Sequence, residues 1–260
     1  MKKVNILWCC VLVFFLSGCG SGTFNVPKQE YQTRVQVLGV LPLLVDHNST
    51  LNYPYKEPLF DLLSRSVVGK NSFLAERLKK KKGYFDVRVL NVNPELTALS
   101  LLAAGSPHDE AGWPLGYKFD TATVAELAKQ NVVDALLIVV FSGEQVEETR
   151  RSRTMLETLK TRYSDVLATA AVVDRNGQVL WQLAGPDSFQ ALVLQYADFD
   201  EAFFNKTDLV QVKNISLAGI ERVLEEVPDK DGKTKLPEPY EDLFAEIASG
   251  ISPGILDALR

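Results

Sequence analysis

Cysteine and histidine are scarce in this chain: three and two, respectively, among 260 residues. All three cysteines, Cys9, Cys10 and Cys19, fall within the first 19 positions. The body of the protein therefore has no thiol for a disulfide or a cysteine-ligated metal, and it must be held by an ordinary hydrophobic core. His47 stands beside Asp46, and His108 beside Asp109 and Glu110, each in a polar, loop-like stretch. A two-histidine metal centre would have to join both loops, so the histidines read as loop polar residues and neither metal nor cofactor is expected. Basic charge is also short, with 28 Lys and Arg against 33 Asp and Glu. A deficit of that sign argues against binding a nucleic-acid backbone. The basic run Lys79-Lys80-Lys81-Lys82 ends at Gly83 and reads as a complement to the negative end of a helix.

The amino terminus carries one apolar stretch, the eleven residues from Ile6 to Leu16, behind Lys2 and Lys3. A membrane-spanning helix needs about 20 apolar residues, so this segment suits a cleaved export signal (residues 1–18) better than a permanent span. Leu16-Ser17-Gly18-Cys19 resembles the lipobox of bacterial lipoproteins. That resemblance implies cleavage before Cys19, a diacylglyceryl group on its thiol and a fatty acid such as palmitate on its amino group. A non-lipidated signal peptide is the alternative. Gram-negative lipoproteins retained in the inner membrane carry Asp after the cysteine. Gly20 and Ser21 stand here instead, which implies the outer membrane, periplasmic face. Cleavage leaves 242 residues with 26 basic and 33 acidic side chains, a charge of −7. Residues 19–34 lack a repeating apolar pattern and are expected to form a flexible tether, reaching about 50 Å when extended.

The remainder, 35–260, reads as a single α/β domain. Val35 to Leu44 is almost wholly apolar, as a strand covered on both faces would be, with Pro42 marking its exit. Leu59 to Lys82 has a helical stripe interrupted at Gly69, and Tyr84 to Leu90 alternates, placing Phe85, Val87 and Val89 on one side. Thr123 and Glu126 have capping-box spacing before a helix to about Asn131. Ala135 to Phe141 is the most continuous apolar strand of the body and is predicted to be central. Tyr163 to Val173 and Gln178 to Leu183 flank Asp174-Arg175-Asn176-Gly177, a hairpin signal. Helices are predicted over Ser216–Val227 and Pro239–Ser249, with a polar turn at Asp229–Lys235. Helical crossovers make the early strands parallel and the hairpin adds antiparallel ones, giving a mixed sheet of about five strands with packed helices.

The pieces Val40-Leu41-Pro42, Gly83-Tyr84-Phe85-Asp86-Val87, Ala125-Glu126-Leu127-Ala128 before Asp134-Ala135-Leu136-Leu137, and Ala170-Ala171-Val172-Val173-Asp174 with Gly177-Gln178-Val179-Leu180-Trp181 occur in a suggestive order. Together they resemble the fold shared by the curli secretion lipoprotein, the penicillin-binding-protein activator lipoproteins and the amino-terminal domain of the Tol-system propeller protein. The resemblance covers roughly 35–183 and rests on structural motifs. It implies an envelope setting and action by binding partners or assembling into rings, with no catalytic activity. The curli relative inserts apolar strands in a membrane. Here the corresponding stretch, Glu144 to Arg162, holds nine charged residues and reads as a solvated excursion or a partner-contacting arm.

Other motifs resolve into turns. Gly250-Ile251-Ser252-Pro253-Gly254 matches a nucleophile-elbow string, but Pro253 has no amide hydrogen for an oxyanion hole and no histidine follows. Asp229-Lys230-Asp231-Gly232 starts like a calcium loop with its glycine at the wrong place. Trp113-Pro114-Leu115-Gly116-Tyr117 is the best candidate for an exposed aromatic contact, burial against the sheet being the alternative. The expectation is thus a non-enzymatic outer-membrane lipoprotein, anchored through Cys19, that binds an envelope protein partner or helps assemble a complex. Oligomerisation is left open, and the rivals are a ring-forming secretion component and an envelope hydrolase. Radiolabelled fatty acid should enter the wild-type product and fail to enter Cys19→Ser; equal labelling of both overturns the anchor.

Overall fold

Continuously apolar segments give strands buried on both faces, and here they build a three-layer α/β protein around a mixed sheet. The computed structural model describes residues 22–81, 83–228 and 234–251. The chain enters as β1 (Thr23–Phe24), α1 (Lys28–Arg34), β2 (Val37–Val40) and β3 (Leu44–Asp46), then α2 (Lys56–Ser66), α3 (Asn71–Lys80) and β4 (Asp86–Val89). Next come α4 (Pro94–Leu101), α5 (Thr121–Asn131), β5 (Ala135–Arg151), β6 (Thr158–Asp174), β7 (Val179–Leu183), β8 (Phe189–Val193) and β9 (Gln195–Asp198). The chain ends with α6 (Phe199–Phe204), β10 (Gln211–Asn214), α7 (Leu217–Leu224), β11 (Val227–Pro228), β12 (Thr234–Lys235) and α8 (Glu238–Gly250).

The main sheet has eight strands in the order β1-β7-β6-β5-β2-β4, with β3 also on β5 and β8 also on β6. Pairs β2–β4, β2–β5 and β3–β5 are parallel, while β6 meets β5, β7 and β8 antiparallel. Helices α2, α3, α7 and α8 cover one face, and α4 and α5 the other. The count exceeds the expected five because β1 and β8 join the edges and the first strand is split. Pro42 lacks the N–H a strand donates, so Val35–Leu44 breaks into β2 and β3, both still paired with β5. Helix α5 also starts earlier than its capping-box reading. Asp120 is the cap, accepting from the Thr123 N–H at 2.7 Å, and Thr123 lies inside the helix. On the edge strand β4 only Val87 is buried, while Phe85 just before it is 86% exposed, against the alternation expected of that side.

The hairpin at Asp174–Gly177 forms as read. Gly177 takes φ 80°, whereas Asn176 stays out of the left-handed region, and Asp174 Oδ1 accepts the N–H groups of Asn176 and Gln178 at 2.9 Å each. The long stretch read as a solvated excursion is a paired arm. β5 and β6 stay in register from Ala135↔Asp174 out to Arg151↔Thr158, so Glu144–Arg162 forms the outer half of one hairpin. Exposure alternates along it, with Glu147, Thr149 and Arg151 exposed and Glu148 and Arg150 half-buried, as a strand with one wet face and one covered face requires. Met155 and Leu156 at the tip are exposed, and Arg153 approaches Asp200 of α6 at 4.0 Å.

A second correction concerns residues 19–34. Residues 19–21 lie outside the described residues, as do the signal segment, Lys82, the proposed calcium-loop turn and Ser252–Gly254. From Thr23 onward, however, the expected flexible tether is packed. Thr23 and Phe24 pair with Gln182 and Trp181 of β7, and Tyr31 on α1 is 3% exposed. Its hydroxyl shares a 2.6 Å hydrogen bond with Tyr84, its ring meets Phe24 edge-on at 5.1 Å, and Arg34 pairs with Asp174 at the hairpin turn. Burying one aromatic ring contributes about 2–3 kcal/mol, enough to dock a two-turn helix that would not persist alone. Tyr31→Ala should therefore lower stability by about 3 kcal/mol in urea denaturation, whereas a mobile tether would register under ~0.5 kcal/mol.

Candidate functional site

Helix α4 begins with Asn93-Pro94-Glu95: the Asn93 side-chain Oδ1 accepts the Leu96 N–H at 2.9 Å, and Pro94 and Glu95 occupy positions where a missing N–H and a negative charge are welcome. The helix is apolar on nearly every side and cannot bury all of it. Leu101 goes into the core, while Leu99 is left 75% exposed. Facing it across the end of β3 is the end of α2, with Val68 67% exposed just beyond. Between them lies an open groove of about 650 Å³, walled by Leu99, Ala98, Val68 and Leu43 and rimmed by Asp61 and Arg65 of α2 and Glu95 of α4. Asp46 and His47, where β3 ends, close one end of it.

Behind that end sits a buried polar network. Asp46 is 5% exposed; its Oδ2 accepts from the Tyr117 hydroxyl at 2.7 Å and its Oδ1 from the Asn48 N–H at 2.9 Å. Burial, with Asp46 and Glu144 close by, pushes the Tyr117 proton affinity far up, so Tyr117 stays a donor. Glu144, 2% exposed, accepts from Thr50 at 2.9 Å and contacts His108 Nε2 at 2.9 Å. The loop carrying His108 and Tyr117 is held against β5 by Gly112. At its φ of 92°, a Cβ would sit 2.2 Å from the Gln145 carbonyl oxygen, so only glycine fits.

Asp165 lies directly opposite Glu144 across the β5–β6 pair and is fully buried. It accepts from Gln190 at 2.8 Å and the Leu194 N–H at 3.1 Å, and it pairs with Arg150, whose guanidinium stacks on Tyr163 at 3.9 Å. Each carboxylate is thus occupied by internal donors.

The two histidines take different partners. His47 stacks on Phe60 at 5.0 Å in the groove, and His108 serves Glu144. Among the described residues no group of three or more His, Cys, Asp and Glu is placed to hold a metal ion, and no helix is long and apolar enough to cross a membrane. Cys19 lies outside the described residues. Tyr117 is buried, Trp113 partly exposed and Leu115 45% exposed, so the aromatic loop divides between its two readings. Sequence reasoning missed α4, although the Asn93-Pro94-Glu95 start signal was present.

Neither a protein-family profile nor a curated protein matches this chain. Among solved structures it is similar to a PelC dodecamer subunit from Paraburkholderia phytofirmans, with 14% identity over 59% of this chain and 75% of that one, TM-score 0.26. It is also similar to a structure described as a neuraminyllactose-binding hemagglutinin homolog from Helicobacter pylori, with 10% identity over 86% and 89% of the two chains, TM-score 0.36. At such scores neither likeness carries an argument about function.

Desolvation raises the Asp165 proton affinity above the ordinary value of 3.8, and Arg150 opposes the rise. Between 3.8 and the raised value the folded state holds the extra proton, so this group's contribution to stability is present at low pH and is lost as pH climbs through that window. Asp165→Asn should flatten that fall in urea titrations, and Asp165→Ala should cost about 1–3 kcal/mol by leaving the Gln190 amide and the Leu194 N–H without an acceptor, Arg150 keeping Glu148 and the Gln195 carbonyl.

Proposed function

We propose that this protein is a lipid-anchored component of the outer membrane that works in the periplasm by holding an envelope partner rather than by catalysis. The observation that carries the reading is the groove between α2 and α4, whose walls leave Leu99 and Val68 in water. Exposed apolar side chains gathered around a concavity mark sites where a second surface completes the burial. A groove flanked by two helices suits an amphipathic helix, whose i, i+4 and i+7 side chains would lie on Leu99, Ala98 and Val68. Asp61, Arg65 and Glu95 on the rim give charges of both signs with which to select a register. The lipobox-like run ending in Cys19 supports the anchor and the compartment. The resemblance to envelope lipoproteins that act through partners supports a binding role.

The internal engagement of Asp46, Glu144 and Asp165 favours binding over hydrolysis. A pair of working carboxylates needs lone pairs facing a substrate, and these accept from Tyr117, Thr50, Gln190 and backbone amides instead. A photo-crosslinking amino acid at Leu99 should give a discrete adduct in intact cells, and the same group at Lys129 on exposed α5 should not. Val68→Glu, at an exposed position, should abolish the Leu99 adduct without lowering stability. Adducts equal at both positions, or indifferent to Val68→Glu, overturn the groove as the binding surface.

A further inference from the structure

The distance from the anchor to the packed body is far shorter than the composition of residues 19–34 suggests. Thr23 is already paired with Gln182 in the sheet. Whatever path the intervening residues take, four Cα–Cα steps separate it from Cys19, at most about 14 Å. If Cys19 carries lipid, as the proposed function holds, some surface of the body within that radius must lie against the bilayer.

One surface at the point of entry is the loop Trp113–Gly116. A Cβ on Gly116 would meet Gln182 Oε1 at 3.3 Å and Ala184 Cβ at 3.6 Å, so this loop touches the very residue with which Thr23 pairs. The loop is rigidly mounted. The Gly185 N–H donates to the Pro114 carbonyl at 2.6 Å, the Leu115 N–H to Pro107 at 2.8 Å, and the Trp113 N–H to Asp109 Oδ1 at 2.8 Å. Because β1 runs antiparallel to β7, the chain before Thr23 comes from the Ala184–Gly185 side, where Leu115 and exposed Pro186 stand.

We propose that Trp113, Leu115 and Pro186 form a seat that rests in the interfacial zone of the bilayer holding the anchor. Trp is the side chain that interface favours most, with its ring among the acyl carbons and its N–H at the headgroups. The flanking charges are Asp109, Glu110 and Asp187 against Lys118 and Arg162, whose guanidinium donates to the Glu110 carbonyl at 3.4 Å, a net negative collar that selects zwitterionic over anionic headgroups. The Ala184–Gly185 side is also the one toward which the arm extends, its tip thirteen residues of β6 from Ala171, the residue level with Gln182, or about 43 Å along the strand. An upright body would push the charged arm through the bilayer, so the seat requires the strands to lie along the membrane with the arm in water.

The test uses the two tryptophans that remain after the signal is removed. Trp181 is fully buried and serves as the internal control, and Trp113 is the surface reporter. Acylated full-length protein in phosphatidylethanolamine–phosphatidylcholine vesicles containing brominated phosphatidylcholine should show quenched emission. Trp113→Phe should remove the quenchable component, and inserting about a dozen Gly and Ser residues after Gly20 should largely relieve the quenching. Emission as insensitive to bromine as that of Trp113→Phe, or quenching unchanged by the longer tether, overturns the seat. A wild-type product that incorporates no fatty acid overturns the anchor instead, so the two failures are distinguishable.

Discussion

Residues of β5 face those of β6 in unbroken register over their full lengths, and nearly every other element is placed by that ladder. A slip of one residue would turn Glu144 or Asp165, whichever strand moved, from a face where donors await it into the apolar layer that holds Val139, Phe141 and Val166. A buried carboxylate without partners would cost several kcal/mol. The ladder is therefore fixed by its polar residues as much as by its apolar ones. On one flank it carries β2 and β3, the strand that ends in Asp46; on the other it carries β7 and, through β7, the first packed residues of the chain.

Asp46 belongs to two structures at once. Its carboxylate holds Tyr117 and with it the loop that crosses to β7, while the residue itself closes one end of the groove between α2 and α4. Occupation of the groove and the setting of the Trp113–Tyr117 loop thus meet at a single side chain.

What could be read in the sequence was whatever depends on local pattern. Ala135–Phe141 lacks alternation because both of its faces are covered, Asp174–Gly177 carries its turn chemistry in four residues, and Tyr240, Leu243, Phe244 and Ile247 repeat with the helix. What stayed hidden depends on contacts far along the chain. Thr23–Phe24 is a strand only because β7 offers an edge, and α1 is docked by one aromatic ring. The charged half of the arm looked solvated because Val146 and Tyr163 are single buried residues amid charges, and their pairing across the hairpin leaves no mark in either segment alone. Helix α4 has no amphipathic stripe to find, and the groove exists only because it faces α2, which ends at Ser66.

The edge position of β1 has a mechanical corollary. Two rungs, Thr23↔Gln182 and Phe24↔Trp181, with the bonds that Asn25 donates to the Leu180 and Val179 carbonyls, join it to the sheet, and behind them stands α1 with its Tyr31 plug. Tension entering the body from its amino terminus is borne by those rungs first, then by the Tyr31–Tyr84 bond and the Arg34–Asp174 pair, before any load reaches the β5–β6 ladder. The front of the chain is in this sense a fuse: it can peel away and lengthen the reach of the protein while the scaffold beyond it keeps its shape.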